Sequence, residues 1–160
     1  MFSHTAEYAL RAMVWLAHHP DTPLTTHQVA EATCVPAGYL AKILQTLARG
    51  GLITAQRGVH GGFMLARPAT EISLLDVLDV VAPIQRIREC PLGIPSHGAQ
   101  LCPLHRRLDE TMAFAEARFA EANLADLLED PTGLTPLCCE PPTPDKPDPP
   151  GGGAAGGASP

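Results

Sequence analysis

The chain has 160 residues, 45% apolar but only 4% aromatic, with 11 basic against 17 acidic side chains and a formal net charge of -6. That length allows one compact domain plus appendages, and no run reaches the ~18 to 20 apolar residues that a membrane span needs. The opening MFSHTAEYAL lacks the basic flank and long apolar stretch of a signal peptide. A cytoplasmic protein without a membrane partner is therefore expected, and in that reducing setting five cysteines point to metal or redox chemistry rather than a disulfide framework.

Ser3 is placed to cap a first helix over residues 4–19, in which Ala6, Ala9, Leu10, Met13, Leu16 and Ala17 recur at helical spacing until Pro20 ends it. Thr25-x-x-Gln28 reads as a capping box opening a short helix to about Ala32, with Val29 and Ala30 facing inward. The turn Thr33-Cys34-Val35 follows, and a small buried residue suits it, so Cys34 is read as structural. Pro36 suits the first turn of a third helix whose stripe Leu40, Ile43, Leu44 and Leu47 stops at Gly50-Gly51. Two helices joined by so short a turn have helix-turn-helix spacing.

Leu52–Arg57 and Phe63–Arg67 are strand-like, and the glycine-rich connector between them reads as a hairpin. Three helices followed by a hairpin is the order of a winged helix-turn-helix: a mainly α fold with a two-stranded wing. Ser73-x-x-Asp76 caps a further helix bearing Leu74, Leu75, Leu78 and Val81. Residues 83–103 are irregular, with four prolines. From Leu104 to about Leu128 a long helix carries Leu104, Leu108, Met112, Ala115, Phe119 and Ala122 on one stripe. A helix of ~25 residues spans roughly 37 Å and is too long to bury against so small a domain, so it calls for a second copy of itself. Residues 131–160 hold nine of the 17 prolines and six of the 14 glycines and form no packed core. The expected organisation is thus a DNA-binding domain at 1–82, a cysteine-containing sensor loop at 83–103, a dimerisation helix at 104–130 and a disordered tail at 131–160.

Residues 1–67 carry five basic against three acidic side chains, whereas the remainder carries six against 14. The mildly basic first part permits a face for double-stranded DNA despite the acidic whole. Pro36, Ala37, Gly38, Tyr39 and Lys42 occupy the exposed start of the third helix, where such helices approach base edges and phosphates. Thr26 opens the helix before it. Small side chains there make few bidentate base contacts, so specificity leans on DNA shape, phosphate contacts and the wing. Arg57 at the base of the hairpin suits a minor groove, and His60 at its tip a phosphate. The plainer alternative is that Lys42, Arg49 and Arg57 form only a solvated face.

The segments SHTAEYALRAM and VAEATCVPAGYLAKILQTLARGGLITAQRGVHGGFMLARPATEISLLDVLDVV, with the cysteines after them, resemble the IscR/NsrR-type family of bacterial dimeric winged-helix transcription regulators. The resemblance covers residues 1 to about 128 and is most specific at Arg57-Gly58 and Gly61-Gly62-Phe63-x-Leu65-Ala66. It implies a homodimer on promoter DNA and, as in several members, an iron-sulfur cluster, usually 2Fe-2S, in the loop before the dimerisation helix. Members that bind a cluster place three evenly spaced cysteines there, some with a histidine three residues beyond. Cys90 and Cys102 stand twelve apart and match the outer two, and His105 matches the histidine. The middle position is Ser96, followed by His97. Part of the family completes the cluster with an acidic residue near the start of the first helix of the other subunit, and Glu7 occupies that place. The implied ligand set is Cys90, Cys102, Glu7 from the partner chain, and one of His105, His97 or His4.

Blander readings stand beside this one. The two cysteines also suit a cluster-free member controlled by a thiol switch or a partner protein, and two Cys with two His suit zinc. Glu7 also serves as a first-turn carboxylate favoured by the helix dipole. An enzyme using Cys102 and His105 as nucleophile and base finds no phosphate loop, paired carboxylates or oxyanion signature in support, so no enzymatic activity is expected. A winged-helix module that binds protein is a third class, separable by the salt dependence of DNA binding. Cys138-Cys139 lie in the tail, with no scaffold to orient them.

Overall fold

The computed structural model describes residues 3–58, 61–93, 100–129 and Leu137. Helix α1 (His4–Ala17) starts where Ser3 Oγ accepts from the Ala6 N–H at 3.2 Å. Its inner face, Ala6, Ala9, Ala12, Met13, Leu16 and Ala17, is mostly small. Short side chains let neighbours approach closely, and α1 is the central strut against which most other elements pack.

Helix α2 (Thr26–Thr33) opens with the expected capping box, Thr25 and Gln28 satisfying each other's backbone N–H groups. It joins α3 (Ala37–Arg49) through a turn that overturns one expectation. Cys34 is exposed, not buried, because it takes the left-handed conformation (φ 54°) that ends α2 and swings Val35 into the core in its place. The stripe Leu40, Ile43, Leu44 and Leu47 of α3 is buried as its spacing predicts.

Strands β1 (Ile53–Gln56) and β2 (Gly62–Leu65) pair antiparallel, with Ile53 opposite Leu65 and Gln56 opposite Gly62. Leu24 extends the ladder by exchanging both backbone hydrogen bonds with Phe63, at 3.0 and 2.8 Å. That close approach requires Gly62, since a Cβ there would lie 2.7 Å from the Leu24 backbone. Gly58 needs its freedom for a different reason, a φ of +117° where the chain turns out of β1. A mainly helical fold with a two-stranded antiparallel wing is therefore what the sequence folds into.

A turn of 3-10 helix (Ala69–Glu71) leads to α4 (Leu74–Val81), capped reciprocally by Ser73 and Asp76. Helix α5 (Pro103–Glu121) follows the loop. The single helix expected through Leu128 is in fact two. Ala122 turns extended, Asn123 and Asp126 form another capping box, and α6 (Leu124–Leu128) begins. The break lets Leu124 N–H bond Ile72 O at 3.0 Å and Leu74 N–H bond Ala122 O at 2.9 Å, which returns the chain to the domain and buries Leu124 completely. Among the described residues, no helix is long and apolar enough to cross a membrane.

Candidate nucleic-acid interface and cysteine loop

The amphipathic stripe of α3 fixes which side chains it leaves outside. Pro36, Ala37, Gly38, Tyr39 and Lys42 are exposed, and Thr26 at the start of α2 is partly so. Pro36 O accepts from both Tyr39 N–H and Leu40 N–H, at 3.0 and 2.9 Å, so the first turn is formed without a side-chain cap. Tyr39 is less independent than its position suggests. Its hydroxyl lies 2.5 Å from Thr5 Oγ1, and its ring meets Tyr8 edge-on at 5.8 Å, tying the start of α3 to α1. Arg57 is exposed just past β1, next to the wing turn. His60 lies outside the described residues.

Arg11 holds the other side of the helix-turn-helix. It donates to Thr33 O at 3.2 Å, lies 5.6 Å from the centre of the Tyr8 ring, and pairs with Glu7 one turn back. The carbonyl at the end of α2 is thus satisfied from α1, and the Glu7 carboxylate, though half exposed, is engaged within its own chain.

The loop before α5 carries the remaining candidates. Cys102 is the N-cap of α5 and His105 sits one turn on; Cys102 Sγ and His105 Nδ1 are 3.3 Å apart and both residues are partly buried. Cys90 is partly buried in the same loop, where its carbonyl accepts from Gly93 N–H at 3.0 Å in a tight turn. None of Cys34, Cys90 and Cys102 is in a disulfide. His4 stacks on Tyr8 at 5.7 Å, and Ser96, His97, Cys138 and Cys139 lie outside the described residues. Among the described residues, no three His, Cys, Asp or Glu side chains of the single chain gather as metal ligands. The thiol at the N-cap of α5 and the imidazole one turn on are donors of the kind that ligate iron or zinc, and Glu7 is not brought to them within one chain.

The loop also contains an ion-pair cluster that sequence spacing did not disclose. Arg86 donates through Nε and one Nη to the two oxygens of Asp109, both at 2.7 Å, and through the other Nη to Glu116 at 2.9 Å. Ile87 N–H adds a bond to Asp109 at 2.9 Å. These bonds, the Arg86 one foremost, hold the Asp109 carboxyl down to about 2, and the same two carboxylates push the Arg86 guanidinium upward. Asp109 and Glu116 stand seven apart and share a face of α5, which was the available signal. Their partner, over 20 residues earlier in an irregular segment, gave none.

Residues 2–130 match the family profile described as "Rrf2: Iron-dependent Transcriptional regulator". A relative from Mycobacterium tuberculosis (strain H37Rv), named an HTH-type transcriptional regulator, is 38% identical over 130 residues, covering 78% of this chain and 79% of its own. One from Aquifex aeolicus (strain VF5) with the same type of name is 26% identical, covering 80% and 91%. Among solved structures, T. potens IscR superposes with a TM-score of 0.69 at 22% identity, over 84% of this chain and 92% of its own. The oxidized form of Staphylococcus aureus CymR gives 0.64 at 26% identity, over 81% and 97%.

Proposed function

The chain belongs to the Rrf2 family of transcriptional regulators, which bind DNA through a winged helix, and from that premise we propose that it is a homodimeric regulator sensing through a 2Fe-2S cluster. Cys90, Cys102 and His105 hold the cluster in this reading, with Glu7 from a second copy as the remaining ligand. The observation that carries it is the pairing of Cys102 Sγ with His105 Nδ1, 3.3 Å apart on the first turn of α5. When bound, the cluster supplies a redox- and nitric-oxide-sensitive centre, and ligation by imidazole raises its potential.

The chain's own residues do the rest. Ligands on the first turn of α5 are attached to a rigid helix, so a change at the loop is felt along α5. Leu104, Leu108 and Met112, at steps of four on that helix, are 64%, 42% and 38% exposed, and the reading places a second α5 against them. The resulting pair presents two α3 helices to half-sites about 34 Å apart, with Lys42 and Arg57 on phosphates and the minor groove. Promoter DNA in the cytoplasm is the partner this implies.

The cluster-free reading also has support: the middle family cysteine is Ser96, and no three donors gather among the described residues of one chain. Iron and acid-labile sulfide analysis of protein purified without oxygen separates the two. The cluster reading expects both elements in equal amounts with visible charge-transfer absorption, strongly reduced in His105→Ala and lost in Cys102→Ala. Protein that stays colourless and iron-free after reconstitution leaves the thiol reading in place.

A further inference from the structure

The segment between α4 and the cysteine loop has no helix or strand, yet it is pinned to α5 by Arg86 and the adjoining Ile87 N–H. Arg86 spends all three guanidinium nitrogens on α5, and its side chain and that of Asp109 are only 24% and 19% exposed. The fork geometry matters, because both Asp109 oxygens are met in parallel while the third nitrogen reaches Glu116 two turns further along the helix. Four residues after Arg86 comes Cys90, and seven residues before Asp109 comes Cys102. Both ends of the cysteine loop are therefore fastened to α5, one by the chain and one by Arg86.

The same segment leads back to the reading helix. Val81, the last residue of α4, lines a small hollow of about 160 Å³ with Thr5 of α1 and Tyr39, Lys42, Ile43 and Thr46 of α3. Between Val81 and Arg86, residues 82–85 border a larger cavity of about 460 Å³ whose far wall is Thr111, Met112 and Ala115 of α5. This cavity, which Ser3 and Ala6 at the start of α1 also line, leaves residues 82–85 loosely packed against α5, next to the Arg86 contact.

We propose that Arg86 is a positioning residue that couples α5 and the cysteine loop to the DNA-reading helix of the same chain, through residues 82–85 and Val81. This route needs no residue from a second subunit and differs from one through Glu7. With the clamp in place, a displacement of α5 or the loop moves the end of α4 against Lys42 and Tyr39. Without it the loop and the reader move separately. The response to cluster state rests on the reading above, but the effect of the clamp on the metal-free protein does not.

The test uses full-length Arg86→Gln, Asp109→Asn, Glu116→Gln and Arg86→Lys, with Arg107→Gln as control, since among the described residues Arg107 forms an ion pair only with Glu110 and is 84% exposed. The probe is a duplex selected from random-sequence DNA by the wild-type protein, and affinity is read by anisotropy well below each variant's melting midpoint. In metal-free protein, Arg86→Gln and Asp109→Asn are expected to weaken binding about tenfold, within the range of ordinary coupling energies. Glu116→Gln should weaken it less, Arg86→Lys should recover part of the loss, and the control should match wild type. In cluster-loaded protein the ratio of loaded to stripped affinity should collapse toward one in Arg86→Gln. A lowered melting midpoint with unchanged affinity in metal-free protein makes Arg86 merely structural and overturns the proposal. So does a loaded-to-stripped ratio equal to that of a responsive wild type. If wild type itself shows no ratio, the cluster reading fails while the metal-free comparison still decides the clamp.

Discussion

Among the described residues, helices α1 and α5 are the longest, 14 and 19 residues, yet α1 buries seven side chains and α5 buries none. Helix α1 is lined with alanines and sits where α2, α3, α4 and α6 converge. Helix α5 keeps an apolar stripe facing outward and is joined to its own chain partly by ions, through Arg86. The contrast separates two regions: the first supplies the buried core of the fold, and the second leaves its apolar stripe uncovered among the described residues, as the proposed dimer and sensor roles require.

The largest effect that sharpens this contrast is a pair of truncations. Leu44→Ala, in the fully buried stripe of α3, should destabilise the fold by roughly 2 to 5 kcal/mol, the usual cost of such a cavity. Leu108→Ala on α5 should change the stability of the folded subunit by less than ~0.5 kcal/mol while shifting sedimentation toward the monomer. Comparable melting losses for both would erase the distinction. Next come Lys42→Ala and Arg57→Ala, both exposed and both on the proposed DNA-reading face. Each should lower the slope of log affinity against log salt by about 1 without altering the melting midpoint. An unchanged slope removes that side chain from the phosphate contacts. Ser73→Ala, which removes the α4 capping box, should cost ~1 kcal/mol in denaturant unfolding; no loss would show that packing alone fixes the helix start.

Two smaller effects are read by pH. Burial, then the neighbouring His19, lowers His18 below its ordinary 6.5, and its Nε2 is buried without a hydrogen-bond partner among the described residues. A depressed histidine leaves the unfolded chain the better proton binder, so stability should decline as pH falls below 6.5. His18→Gln should flatten that decline. Asp109 follows the same sign in a lower pH window. Its contribution is present above 3.8 and is lost only as pH falls toward about 2, so the Ile87 amide should stay protected from exchange at pH 5. Loss of protection there would contradict the clamp geometry.

Local signals carried most of the reading half. Periodicity announced the buried faces of α1 and α3, and the reciprocal caps at Thr25–Gln28 and Ser73–Asp76 stand where their spacing places them. The same signature, Asn123-x-x-Asp126, marks the break before α6, but the apolar stripe running through it masked the stop. Cys34 was misread because a left-handed residue at a helix end turns the following side chain inward, which composition does not reveal. The Arg86 clamp and the Thr5–Tyr39 bond join residues 23 or more apart, beyond the reach of any local pattern. The cysteine loop was legible as spacing alone: Cys102 and His105 do meet, whereas Glu7 turns to Arg11 within its own chain.

The central claim is that the state of the Cys90–Cys102 loop sets how tightly the winged helix holds DNA. Titrating the selected duplex with oxygen-free, cluster-loaded protein and with the same protein stripped of iron tests this most directly. The account predicts affinities at least fivefold apart in wild type and equal in Cys102→Ala. Equal affinities for loaded and stripped wild-type protein would contradict it.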